Sequence, residues 1–244
     1  MASTSTQPEL EIALSPTTPA VSNAHRWIDL SLVLMVAFAG SILRSVYLAP
    51  HPGPITYSNI RLLLGILEEA IALALFLILF NRQGRRLQDL GFDFRWTDLP
   101  KAVGLTLAGF SALVAMFLTI SHIYSLITLR PLHDTGPHSD FSASSIWLIL
   151  PFLLLNPFFE EILVRGYLMT ELIDLRKSVV LATVISLAIQ TSYHLYYGVF
   201  GAATVGAGLS VFAIYYAKSR RLMPVILAHM FWDFTTVLIK LLHS

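Results

Sequence analysis

The stretch Asn156-Pro157-Phe158-Phe159-Glu160-Glu161-Ile162-Leu163-Val164-Arg165 sets two carboxylates and a guanidinium directly behind an uncharged apolar run, Ser144 to Phe159. A charge at the centre of a bilayer costs about 2.5 to 3.5 kcal/mol on insertion scales, so charges there face partners inside a helix bundle and mark function. On a helix, Glu161 and Arg165 are four apart with the acid first, the favoured order for a same-face pair. Glu160 is rotated about 100° away and is left free for chemistry. The competing reading is that all three only tie helices together by ion pairs.

Three more polar residues sit at depths where they can join Glu160. Glu160 lies 17 residues before Lys177 and His194 lies 17 after it, so two antiparallel helices turning there bring them to one level. His229 and Asp233 follow the basic turn at Arg221 by eight and twelve residues and share one helix face. Both are expected in the cytoplasmic half of the membrane or near its middle. A histidine backed by a carboxylate is an orienting arrangement used for bases and for metal ligands. Each residue also has a plainer reading. His122 or His194 can bond a neighbouring helix without catalysing, and Tyr193, Tyr196 and Tyr197 around His194 can form an aromatic interface belt.

These positions need a membrane bundle to hold them. The 244 residues are 55% hydrophobic and only 13% charged, with a mean hydropathy of +0.69, which marks a polytopic all-α membrane protein. A net charge of +1 gives no support for nucleic-acid binding. Zero cysteines exclude disulfides, thiolate ligands and a cysteine nucleophile. Residues 1–26 read as a disordered tail whose first 24 positions hold no Lys or Arg, and residues 27–244 as the transmembrane domain.

About seven spans are predicted: 28–49, 60–80, 102–129, the helix from Ser144 through the glutamate motif to Arg176, two helices within 178–217 broken near Gly198 to Gly201, and 222–242. With the N-terminus inside, twelve basic residues fall on cytoplasmic segments and four, Arg44, Arg61, Arg130 and Lys240, on the other side. The expected location is a bacterial cytoplasmic membrane with a cytoplasmic N-terminus. A second pair, Glu68-Glu69, has no basic residue four positions on and reads as structural, neutralised by Arg44 or Arg61, or as shaping a substrate cavity.

Glu160-Glu161-x-x-x-Arg165, then His194, then His229-x-x-x-Asp233 together resemble the CPBP or Abi family, the group that includes the CAAX prenyl endopeptidase of Ras maturation. The resemblance runs over roughly 151–242. It implies an intramembrane endopeptidase in which Glu160, assisted by His194, activates a water while His229 and position 233 stabilise the oxyanion. Fixed donors of that kind are worth about 3 to 4 kcal/mol each. Glu161 and Arg165 would support the site. The sequence departs from the family pattern twice, with Gln190 in place of Phe four before His194 and Asp233 in place of the alternative Asn. An ionised Asp cannot donate to an oxyanion, so Asp233 would orient and charge His229 or be protonated. Two histidines and a carboxylate also form a Zn set, His194, His229 and Glu160, although the resemblance favours a metal-free glutamate mechanism.

The expected partners are the lipid bilayer and a peptide or membrane-protein substrate, such as a bacteriocin precursor, a signal-peptide remnant or a membrane regulator, cut near the cytoplasmic half of the membrane. No His-Glu-x-x-His or Gly-x-Gly-Asp is present, and Gly208-Leu209-Ser210-Val211 lacks the second glycine of a rhomboid-like serine motif. The alternatives are a non-enzymatic scaffold or bacteriocin-immunity-type binding protein, and a proton-coupled transporter.

Overall fold

The computed structural model describes residues 21–50, 52–53, 55–132, 139–141 and 145–243. Helix α1 (Asn23–Leu48) opens at Ser22, whose hydroxyl accepts from the His25 amide. Helix therefore begins four residues ahead of Trp27; positions 1–20 of the expected tail lie outside the described residues. Helices α2 (Asn59–Arg82) and α3 (Asp98–Thr128) follow. The fourth span is one continuous rod: α4 (Ile146–Glu160), a π-helical segment (Glu161–Met169) and α5 (Thr170–Arg176). The chain ends with α6 (Val179–Tyr193), α7 (Gly198–Ser219) and α8 (Met223–His243).

Six of these units are long and apolar enough to cross a membrane, which makes the chain a multi-pass integral membrane protein of the all-α class expected. Helix α6 is the seventh apolar segment. With 15 residues it rises about 22 Å, short of the roughly 30 Å hydrocarbon core. It is short because the chain breaks earlier than its glycines suggest, in a 3₁₀ turn at Leu195–Tyr197, and Gly198, at φ +77°, starts α7 instead of interrupting it.

Burial divides the helices into core and rim. Half of the apolar window of α7 is buried against 11% for α3. The exposed Leu107, Leu118 and Leu126 of α3 are thus the lipid-facing side of a helix whose other side packs on α7 and α8. The α4–α5 rod is central, touching α2, α6 and α8.

One end of the bundle is sealed by charge. Glu171, fully buried, is paired with Arg26 at 2.9 Å and with Arg85. Asp174 takes Arg26 at 3.2 Å, and Arg221 holds the buried Asp98 at 2.7 Å. At the same end the Leu222 amide donates to Gly91 O at 3.0 Å and the Tyr216 hydroxyl to Leu90 O at 3.1 Å, which fixes the start of α8 and so the height of His229. The opposite end carries a two-residue parallel pairing of Ile55–Thr56 with Ser139–Asp140.

Candidate active site

The rod changes pitch where the charges lie. Pro157 leaves the last turn of α4 without one backbone donor, and the next nine residues take the wider π geometry, a form found mostly at functional sites. Glu161 and Arg165, both fully buried, still meet, with Nε to Oε2 at 3.5 Å, and an Arg165 Nη donates to Leu209 O at 3.1 Å. Glu161 also does something the spacing does not show. Its Oε1 lies 2.8 Å from His229 Nδ1, so it serves the histidine as much as the arginine.

Glu160 points the other way and is held by three donors: the Tyr193 hydroxyl at 2.6 Å and Gln190 Nε2 at 3.2 Å on Oε2, and Asn156 Nδ2 at 3.3 Å on Oε1. Sequence reasoning missed all three roles. Tyr193, read there as a candidate belt residue, is buried in the site, and Gln190, read as a departure from Phe, supplies a hydrogen bond to the carboxylate. Their signal was position: Asn156 is four before Glu160, and Gln190 and Tyr193 are four and one before His194.

The early break of α6 shapes His194. The last carbonyls of a helix lack partners in it, and His194, at the C-terminus of α6, bonds Gln190 O through Nδ1 at 2.8 Å. A carbonyl only accepts, so Nδ1 carries the proton and Nε2 presents a lone pair. At His229, Nδ1 faces Glu161 and Nε2 lies 3.7 Å from Asp233 Oδ1, on the face expected from the four-residue spacing.

A cavity of about 150 Å³ is lined by Glu160, His194, His229 and Asp233 together, with Asn156 and Tyr57 among its other walls. The four polar positions drawn from three separate spans therefore surround one space, with room for more than one water. Residues 142–235 match the Rce1-like family. Its description is type II CAAX prenyl endopeptidase Rce1-like, and the matched segment contains all six polar positions of the motif set. No curated protein and no solved structure matches the chain.

Two larger cavities reach the site formed by Glu160, His194, His229 and Asp233. One of about 410 Å³, between α1, α2 and α4, has Arg44, Arg61, Glu68, Glu69, Asn156 and Glu160 on its walls. The other, about 390 Å³ and mainly apolar, lies between α3, α7 and α8 and reaches His194, His229 and Asp233 past Phe110 and Trp232. The walls of the site include Tyr57 and Phe141, from the connections opposite the charge-sealed end.

Of the two roles expected for Glu68-Glu69, both residues do line the cavity of about 410 Å³, while pairing with an arginine is not seen among the described residues. Glu68 is exposed, whereas Glu69 is buried and its Oε1 accepts from Asn156 at 2.9 Å; no ion pair among the described residues joins it to Arg44 or Arg61. Among the described residues no group of three or more His, Asp or Glu side chains stands where it could hold a metal ion.

Proposed function

We propose that this protein is an intramembrane endopeptidase in which Glu160 and His194 activate a water and His229 binds the oxyanion. The observation carrying the reading is the shared cavity of Glu160, His194, His229 and Asp233, and the Rce1-like match supports the reaction class. Glu160 keeps its carboxylate aimed through three donors, and His194 offers Nε2 as an acceptor. A water between them loses a proton as its oxygen attacks the peptide carbonyl carbon. The resulting oxyanion faces His229, which lies between Glu161 and Asp233 and donates from Nε2 with a proton on each nitrogen. Collapse breaks the C–N bond, and the proton taken from water leaves on the amine. Asp233 thus acts through His229, which answers why an acceptor-only side chain can stand there.

The substrate is a peptide or membrane-protein segment reaching the cavity between helices. The excess of basic residues on the charge-sealed end supports a cytoplasmic N-terminus. In that orientation the site opens toward the far side of the membrane.

The test is cleavage of a peptide library by purified protein in liposomes. Wild type should cut at least one peptide, Glu160→Ala and His194→Ala should not while remaining folded, and a chelator should leave the rate unchanged. Equal rates in the wild type and both variants would overturn the assignment; loss with chelator would overturn the metal-free mechanism.

A further inference from the structure

Glu69 belongs to the site by contact as well as by cavity. It is 7% exposed on α2, and its Oε1 takes a hydrogen from Asn156 Nδ2 at 2.9 Å while the same nitrogen donates to Glu160 Oε1 at 3.3 Å. One amide nitrogen therefore holds two carboxyl groups within two hydrogen-bond lengths of each other. The other oxygen of Glu69, Oε2, is buried with no hydrogen-bond partner among the described residues.

The charges facing Glu69 can be named element by element. Glu68 is its exposed neighbour on α2, Arg61 of α2 and Arg44 of α1 line the shared cavity, Glu160 comes from α4, and Asp233 of α8 stands farther off. Arg61 is engaged elsewhere, its guanidinium 5.2 Å from the Tyr57 ring centre and donating to Thr56 O at 3.4 Å. Two anions on one amide nitrogen repel strongly where the dielectric is low. An ionised oxygen buried without a donor also bears its full desolvation cost. A proton on Oε2 removes the repulsion, replaces a buried charge with a neutral hydroxyl that is much cheaper to bury, and leaves Oε1 able to accept.

We infer that Glu69 is a positioning residue for Glu160, held as a neutral carboxylic acid and acting through Asn156. Neutral, it lets the amide give one hydrogen to each carboxyl and leaves Glu160 as the sole anion on that nitrogen. Its proton is not consumed in turnover. The consequence for rate rests on the endopeptidase reading, whereas the chemical state of Glu69 does not.

The experiment treats the full chain in lipid vesicles with a hydrophobic carbodiimide, which adds to protonated carboxyl groups, and maps the adducts by mass spectrometry. Glu69 should be modified in preference to Glu68, both in wild type and in the inactive Glu160→Gln variant. On a library peptide that the wild type cleaves, Glu69→Gln should keep most of kcat, because it retains a neutral acceptor. Glu69→Ala should lower kcat about 100-fold with KM unchanged, the cost of a misplaced base. An unmodified Glu69, a Glu69→Ala variant with wild-type kcat, or a Glu69→Gln variant as slow as Glu69→Ala would each overturn the inference. If no peptide is cleaved, the endopeptidase reading fails and the adduct map alone decides the state of Glu69.

Discussion

His229 Nδ1 and Glu161 Oε1, 68 residues apart in sequence, meet at 2.8 Å, and the same Glu161 carboxylate is the ion-pair partner of Arg165. The glutamate that looks merely structural is therefore the group that aims the proposed oxyanion donor. Glu161→Ala should cost about 3 to 5 kcal/mol, because it leaves the buried Arg165 guanidinium without its counter-charge. Glu161→Gln keeps an acceptor for His229 but loses the charge, and should fold better than Glu161→Ala while cleaving more slowly than wild type. Thermal unfolding in detergent and cleavage rate, measured on both, separate the two duties.

Tyr193→Phe removes the 2.6 Å hydrogen bond on Glu160 Oε2 without changing the shape of the ring, which stacks on Phe38 at 5.1 Å. A hydrogen bond to a charged group is worth about 1.5 to 3 kcal/mol. If it serves mainly to aim the base, kcat should fall by about tenfold or more, since 1.4 kcal/mol is one decade, and the melting temperature should move little. An unchanged kcat would show that Gln190 and Asn156 suffice to hold the carboxylate.

The contrast between Glu160 and its donors shows what the chain discloses unaided. Glu160, Glu161, Arg165, His194, His229 and Asp233 stand out because a charge or imidazole inside an apolar run is costly and so conspicuous. Asn156, Gln190 and Tyr193 carry no such mark; a neutral polar side chain means little until the helix face it occupies is known. The π segment is equally silent, since hydrophobic periodicity cannot distinguish it from an α-helix over nine residues. The spans themselves were legible to within a few residues, except where the 3₁₀ turn after His194 displaced the break from the glycines. The contact of Glu69 with Asn156 was not legible, because a missing basic residue in sequence says nothing about an amide arriving from α4.

The sealed end should act as a stability element separable from the chemistry. Glu171 is fully buried and engaged by Arg26 and Arg85, arginines whose side chains are 19% and 17% exposed. Glu171→Ala leaves Arg26 and Arg85 to share Asp174, at 3.2 and 3.7 Å, and should destabilise the fold by about 1.5 to 3 kcal/mol through the lost charged hydrogen bonds. The specific activity of the folded fraction should be retained, because the pair lies at the end of the rod away from the cavity. Activity lost in proportion beyond the folded fraction, measured by gel filtration and cleavage together, would contradict this separation.

Orientation can be read with single cysteines, since the chain has none of its own. Gln88 and Gly53 are exposed on connections at opposite ends of the bundle. Gln88→Cys should react with a membrane-impermeant maleimide only after the cells are opened, and Gly53→Cys in intact cells. The reverse pattern would put the site's opening on the cytoplasmic side and refute the basic-residue argument for a cytoplasmic N-terminus.

The apolar cavity between α3, α7 and α8 depends on two glycines that let the helices close on Trp232. A Cβ at Gly208 would stand 2.4 Å from the Trp232 ring and 3.0 Å from Gly109 O; one at Gly109 would stand 2.8 Å from the same ring. Trp232 cannot easily retreat, because it stacks on Phe110 at 4.3 Å and meets Phe212 edge-on at 6.1 Å. Gly208→Ala should therefore cost about 1 to 3 kcal/mol by overpacking. It should also reach the chemistry, since Trp232 precedes Asp233 on α8 and lines the same cavity as His194 and His229. The expected result is a lower melting temperature with a raised KM for peptides bearing large apolar side chains, while small-residue peptides are cut with nearly wild-type kcat. An equal loss for both peptide types would mean that the indole supports the helix packing alone and that substrate does not enter between α3, α7 and α8.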